Sequence, residues 1–250
     1  PGILIGLSYL AVTVIISIRR GYPRENRATI KEIAKTLLNA FWALLLPLIL
    51  MGTIIFGIAT ATEAAAISAI YAFIIAFFVY KTLSWKGFLN ALRDSVIGTT
   101  VVMMIVCAAS IFTWVLIQEG IPRLISDTLL GFGMPNWLLL FVMVLIMFLF
   151  GMVMDLVPNL FIFIPIFMPI ATEMGMDPIQ FSLVMLCTLA LGLFTPPVGA
   201  TTFISLHLAK IEMDEIIKDL IPFAIVGLAV VLLITYIPGL TMWIPNLLFD

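Results

Sequence analysis

Charge is what this sequence has least of: Asp, Glu, Lys and Arg make up 10% of its 250 residues, while 63% are hydrophobic. Soluble domains carry about a quarter charged residues, so that class is excluded, and a mean hydropathy of +1.25 places the chain in a lipid bilayer. Twelve Lys and Arg residues scattered along a chain of net charge −2 form no phosphate-binding face, which excludes a nucleic-acid partner. Cysteine is nearly absent. Cys107 and Cys187 each sit in an apolar run without metal-ligand spacing, so both read as small core hydrophobes rather than as a disulfide or a site. The single histidine, His207, reads as a surface or internally satisfied residue rather than a proton relay. There is no HExxH or GxSxG motif, and an intramembrane aspartyl protease needs two facing carboxylates where only Asp155 lies at clear mid-membrane depth. The first apolar run ends at Arg19 and Arg20 without a preceding basic region or cleavage pattern, so it is not a signal peptide. The chain opens on Pro1, as a piece of a longer protein would.

Long apolar runs are what the sequence does have. A helix crosses a hydrocarbon core of roughly 30 Å with about 20 apolar residues, and full spans are expected at about 2 to 18, 39 to 58, 63 to 80, 96 to 117, 180 to 208 and 220 to 245. Residues 137 to 170 are too long for one span and too short for two, and their centre, Gly151 to Asn159, is glycine, proline and polar. Two half-length helices meeting at a tip fit this stretch, because non-helical backbone at membrane depth survives only where protein or a water-filled cavity surrounds it. The expectation is a re-entrant hairpin. Lys and Arg accumulate in cytoplasmic loops. If residues 137 to 170 return to the side they entered, eleven of the twelve basic residues fall on one side and Arg123 alone falls opposite. Both ends of the chain then face outward. TIKEIAKTLL, residues 29 to 38, has Lys31 and Lys35 off an otherwise apolar helical face and is expected to lie as an arm at the cytoplasmic surface. IPRLISDTLLGF, residues 121 to 132, repeats the pattern outside.

The span at 180 to 208 carries TPPVG, and its adjacent prolines remove two backbone donors. Two half-helices, residues 180 to 193 and 199 to 208, are expected around a break from Thr195 to Gly199. Freed carbonyls and a Thr hydroxyl are hard oxygen ligands for a small cation, and a half-helix N-terminus presents N–H groups to an anion. The alternative is a proline kink repaired by a neighbouring helix. The hairpin tip brings Asp155 and Asn159 to similar depth, where an ionisable group is a functional candidate by default; Asp155 has the competing reading of a simple cap on the second half-helix. Glu63, with Thr60 and Thr62, reads as the capped first turn of its span. Phe161, Phe163 and Phe167 read as a packing face.

GIATATEAAAISAIYAFIIAFFVYKTLSW, GMVMDLVPNLFIFIPIFMPI and LGLFTPPVGATTF, in this order and spacing, resemble the large membrane subunit of tripartite ATP-independent periplasmic (TRAP) transporters over the whole chain. The resemblance implies an all-α polytopic membrane protein with about six transmembrane helices, one re-entrant helical hairpin and a broken helix. It corresponds to one inverted repeat of an elevator-type ion transporter, the C-terminal half of the permease. It implies scaffold helices over 1–118, with the arm helix at 29–38. A moving part follows over 119–210, with hairpin 137–170 and broken helix 180–208, and then an interfacial segment with a final transmembrane helix over 211–250. The implied activity is sodium-driven import of organic acids such as C4-dicarboxylates or sialic acid, with sodium as coupling ion and no cofactor. The implied partners are a small membrane subunit, a periplasmic substrate-binding protein, the N-terminal half of the permease and the lipid bilayer of a bacterial or archaeal inner membrane. Carried onto this sequence, sodium falls at Gly151, Asp155, Asn159, Gly192, Thr195, Pro196, Val198 and Gly199, and the substrate falls near Pro158, Pro197 and Thr201. A scaffold subunit with no substrate site of its own is the alternative. Ala61 stands where the family usually has proline.

Overall fold

A computed structural model describes residues 1–22, 29–131, 133–196 and 199–249, and among them every regular element is helical. The chain divides into two compact units, Pro1–Tyr22 with Val102–Asp250, and Pro23–Val101.

The larger unit is built around helix α8. Its helices are α1 (Gly2–Arg20), the second half of α4 (Trp85–Gln118), α5 (Ile121–Gly131), α6 (Asn136–Gly151), α7 (Leu156–Glu173), α8 (Pro178–Phe194), α9 (Ala200–Ala209), α10 (Met213–Tyr236) and α11 (Gly239–Phe249). α6, α7, α9, α10 and α11 all pack on α8. Helices apolar on all sides suit such a centre. Leu139, Met143, Met147, Ile170, Phe181, Met185, Leu189, Val231 and Ile234 are sealed from solvent there. Gln180 is the polar pin of this core: its amide nitrogen donates to the carbonyls of Ile234 and Thr235, both at 3.1 Å, and so meets two carbonyl groups near the end of α10.

The smaller unit holds α2 (Ile30–Ile55), α3 (Ala61–Ile74, continued by a π-helical turn Ile75–Val79) and the first half of α4. It buries little beyond Ala64, Ser68 and Ile75. The hydroxyls of Tyr71 and Tyr80 donate to the carbonyls of Trp42 and Asn39, each at 2.7 Å, and tie α3 to α2. Glu63 closes a capping box with Thr60, accepting from its backbone N–H at 2.8 Å. Ala61 is the first helical residue, so α3 starts here without proline.

Several expectations change. Residues 29–38 are not a separate arm. They form the first turns of α2, which Thr29 and Glu32 cap through a 2.8 Å bond, and the helix runs through Pro47 to Ile55. α1 belongs with the larger unit, where it packs on α10. Tyr9 stands edge-on to Phe194 and Phe223 at 5.9 and 5.7 Å, and Arg20 pairs with both carboxylate oxygens of Asp219. The expected last span stops at Tyr236. Pro238 forces Ile237 out of the helical region, and α11 starts afresh. Cys107 is exposed on α4 instead of in a core, while Cys187 is half-buried; both are free thiols. Among the described residues six helices are long and apolar enough to cross a membrane, as expected in number, but α7 is one of them and the interrupted α8–α9 is not.

Candidate functional site

The hairpin and the broken helix meet backbone to backbone. A Cβ built on Gly192 would lie 2.4 Å from the carbonyl carbon of Gly151 and 2.7 Å from its Cα. One built on Gly151 would lie 2.9 Å from the carbonyl oxygen of Leu189. No side chain fits between the end of α6 and the end of α8. Past the break, Gly199 has φ +50, a region where glycine escapes the Cβ penalty, and its N–H donates to the Met152 carbonyl at 3.1 Å. The tip Met152 to Asp155 is thus held by both half-helices of the broken span.

A helix end leaves four carbonyls without intrahelical partners, and α8 satisfies all four of its own. The Leu191 carbonyl accepts the Thr195 hydroxyl at 2.7 Å, and the Gly192 carbonyl accepts the Thr195 N–H at 2.9 Å. From the first turn of α9, Thr201 reaches back to the Leu193 carbonyl at 2.9 Å and Thr202 to the Phe194 carbonyl at 2.8 Å. The expected orphaned carbonyls therefore already hold one donor each, leaving one lone pair apiece. Thr202, unmarked in the sequence reading, belongs to this set; the Thr-Thr pair one turn after TPPVG is the signal that could have found it.

The orphan is a side-chain oxygen. Asn159 is fully buried on the first turns of α7. Its amide nitrogen donates to Phe150 and Met154 carbonyls at 3.4 and 3.1 Å, which closes the tip and fixes which way the amide points. Its Oδ1 is then left buried with no partner. An unpaired buried acceptor costs about 1–3 kcal/mol, which makes this oxygen the candidate ligand at the tip.

The structure brings together Gly151, Asn159, Gly192, Thr195 and Gly199. It does not bring the Asp155 carboxylate among them: Asp155 is exposed and accepts the Leu156 N–H at 2.7 Å, capping α7. Pro158 and Pro196 are half-buried, and Thr201 is exposed. Pro197 and Val198 lie outside the described residues, as does the side chain of His207. Phe163 and Phe167 pack as expected, stacked at 5.1 Å with Phe150 edge-on to Phe163 at 5.4 Å.

An all-helical membrane chain in which a helical hairpin abuts an interrupted helix, with polar groups gathered where both are discontinuous, defines a polytopic protein of the permease class. Comparison with known proteins narrows this. Residues 1–240 match the family model described as Tripartite ATP-independent periplasmic transporter, DctM component, and the chain belongs to that family. It is 33% identical over 246 residues to the C4-dicarboxylate TRAP transporter large permease protein DctM of Pseudomonas aeruginosa, covering 98% of this chain and 58% of that one. It is 31% identical over 248 residues to the sialic acid TRAP transporter large permease protein SiaM of Vibrio cholerae, covering 99% and 58%. It is also 33% identical over 247 residues to the uncharacterised YgiK of Salmonella typhimurium, covering 99% and 57%. The chain therefore spans little more than half the length of these relatives. Those with an assigned role are permease subunits rather than enzymes.

Proposed function

We propose that this chain supplies one of two ion-binding halves of a permease that imports organic acids on a sodium gradient. The observation that carries the reading is the unpaired Asn159 Oδ1, buried where the hairpin tip closes on the broken helix. Asn oxygen, Thr195 hydroxyl and second lone pairs of peptide carbonyls are hard, uncharged ligands suited to a monovalent cation at membrane depth. Sodium bound there would satisfy Asn159 and hold the tip to the break. Substrate would lie beside this cluster, near Pro158, Pro197 and Thr201, with the other half of the permease opposite. The carboxylate substrates named for the relatives, C4-dicarboxylate and sialic acid, support organic acids as the class of cargo. The family description supports delivery by a periplasmic binding protein and a companion small membrane subunit.

The reading also takes α6 and α7 as re-entrant, with α6 to α9 moving as one elevator body. Support comes from the short α6, from the tip carbonyls satisfied inside the protein, and from the eleven basic residues that this topology places on one side, with both chain ends outward. Uptake of a C4-dicarboxylate or sialic acid into vesicles, with the complete permease, its small subunit and binding protein, tests the reading. It predicts a drop of tenfold or more when potassium replaces sodium and a comparable loss in Thr195→Val. Sodium-independent uptake would overturn it.

A further inference from the structure

Away from the interrupted helices, the smaller unit gathers basic residues at one of its ends. The Tyr80 hydroxyl bonded to the Asn39 carbonyl at 2.7 Å sets the last turn of α3 against the first turns of α2, where Lys31 and Lys35 are spaced one turn apart on the same face. Lys81 follows Tyr80 directly. It takes φ +52, an uncommon conformation for a residue with a side chain. The reversal it makes is closed by the N–H groups of Thr82 and Leu83 on the Ala76 carbonyl, at 3.0 and 3.3 Å. Trp85 and Lys86 then open α4. Four lysines thus share this end. Among the described residues none of them has a carboxylate within ion-pair distance, and the nearby Glu32 is occupied in capping α2.

The surroundings say what kind of anion fits. Trp85 and Phe78 are 61% and 63% exposed beside the lysines, and exposed aromatic residues with lysines mark the headgroup level of a membrane. We propose that this end of the smaller unit binds an anionic phospholipid, its phosphate held by Lys35 and Lys81 at the headgroup level that Trp85 and Phe78 mark. This is independent of the sodium reading, since no residue is shared.

A lysine at an anionic lipid surface contributes about 1 kcal/mol, or about fivefold in affinity, so removing two should cost roughly thirtyfold. The test is native mass spectrometry of the intact permease with phosphatidylglycerol and with phosphatidylcholine of the same chain length. The expected result is retention of phosphatidylglycerol over phosphatidylcholine. That preference should be lost in Lys35→Gln/Lys81→Gln and kept in Lys35→Arg/Lys81→Arg and in Lys210→Gln/Lys218→Gln. Should the Gln pair fail to fold, the single variants Lys35→Gln and Lys81→Gln, each with a partial loss of the preference, are read in its place. Equal retention of both lipids, an unchanged preference in the Gln pair, or displacement by excess inorganic phosphate, which would mark a free-anion site, overturns the proposal.

Discussion

Helix α7 carries two prolines in its interior and the α8–α9 break carries two in succession, yet one stays a helix and the other does not. Pro165 and Pro169 lie inside α7, which runs unbroken from Leu156 to Glu173. Pro165 leaves the Phe161 carbonyl without its donor, and the Thr113 hydroxyl from α4 supplies a substitute at 2.9 Å. One neighbour repairs one vacancy, and the helix continues. Around Pro196 and Pro197 the substitutes come from the broken span itself: Thr195, Thr201 and Thr202 satisfy the end of α8, while Gly199 turns away and donates to the hairpin tip. Proline alone does not decide between a kink and an interruption. What decides is whether the residues around it offer a set of caps and a glycine for the reversal. In α8–α9 they do, and the interruption is then used to seat another backbone.

The largest effect should come from filling that seat. Gly192→Ala puts a methyl group 2.4 Å from the Gly151 backbone, where nothing flexible can yield, and should destabilise the intact permease by about 3 kcal/mol or more; Gly239→Ala, which meets nothing within 4 Å, should leave thermal unfolding unchanged. An equally stable Gly192→Ala would mean the close approach is not real. Removing donors comes next. Thr195→Val leaves a buried carbonyl short and should cost about 1–3 kcal/mol, against about 1 kcal/mol for the half-buried Thr113→Val. The contrast sharpens in a double-mutant cycle: Pro165→Ala restores the backbone donor to Phe161, so Thr113→Val should cost little in that background. Additive costs would show that Thr113 does not repair the proline. Asp155→Asn should have the smallest effect, within about 0.5 kcal/mol, because Asn caps a helix as well as Asp. A large loss of transport with stability intact would instead place that carboxylate in the ion path.

Much of this was legible in the sequence for local reasons. TPPVG announced the interruption because adjacent prolines and a following glycine cannot continue a helix, and the glycine, proline and polar centre of residues 137 to 170 announced the break between α6 and α7. Glu63 three residues after Thr60 gave its capping box directly. What escaped depends on distant partners. The approach of Gly151 to Gly192, the packing of Tyr9 on Phe194 and Phe223, and the continuity of residues 30–38 with the span that follows them are settled by elements far apart in sequence or by neighbours no local pattern names. Asn159 and Asp155 both stand near the tip as candidate ligands, and the sequence offers a cap as the competing role of Asp155 alone. The fold separates them: the one at the start of α7 turns outward to cap it, and the one a turn later is sealed inward with an oxygen left over.

Sodium calorimetry on the intact permease, wild type against Asn159→Leu, tests that assignment most directly. The account predicts one sodium ion fewer per permease in the variant, with potassium giving no heat in either protein. The same sodium stoichiometry and affinity in both would contradict it.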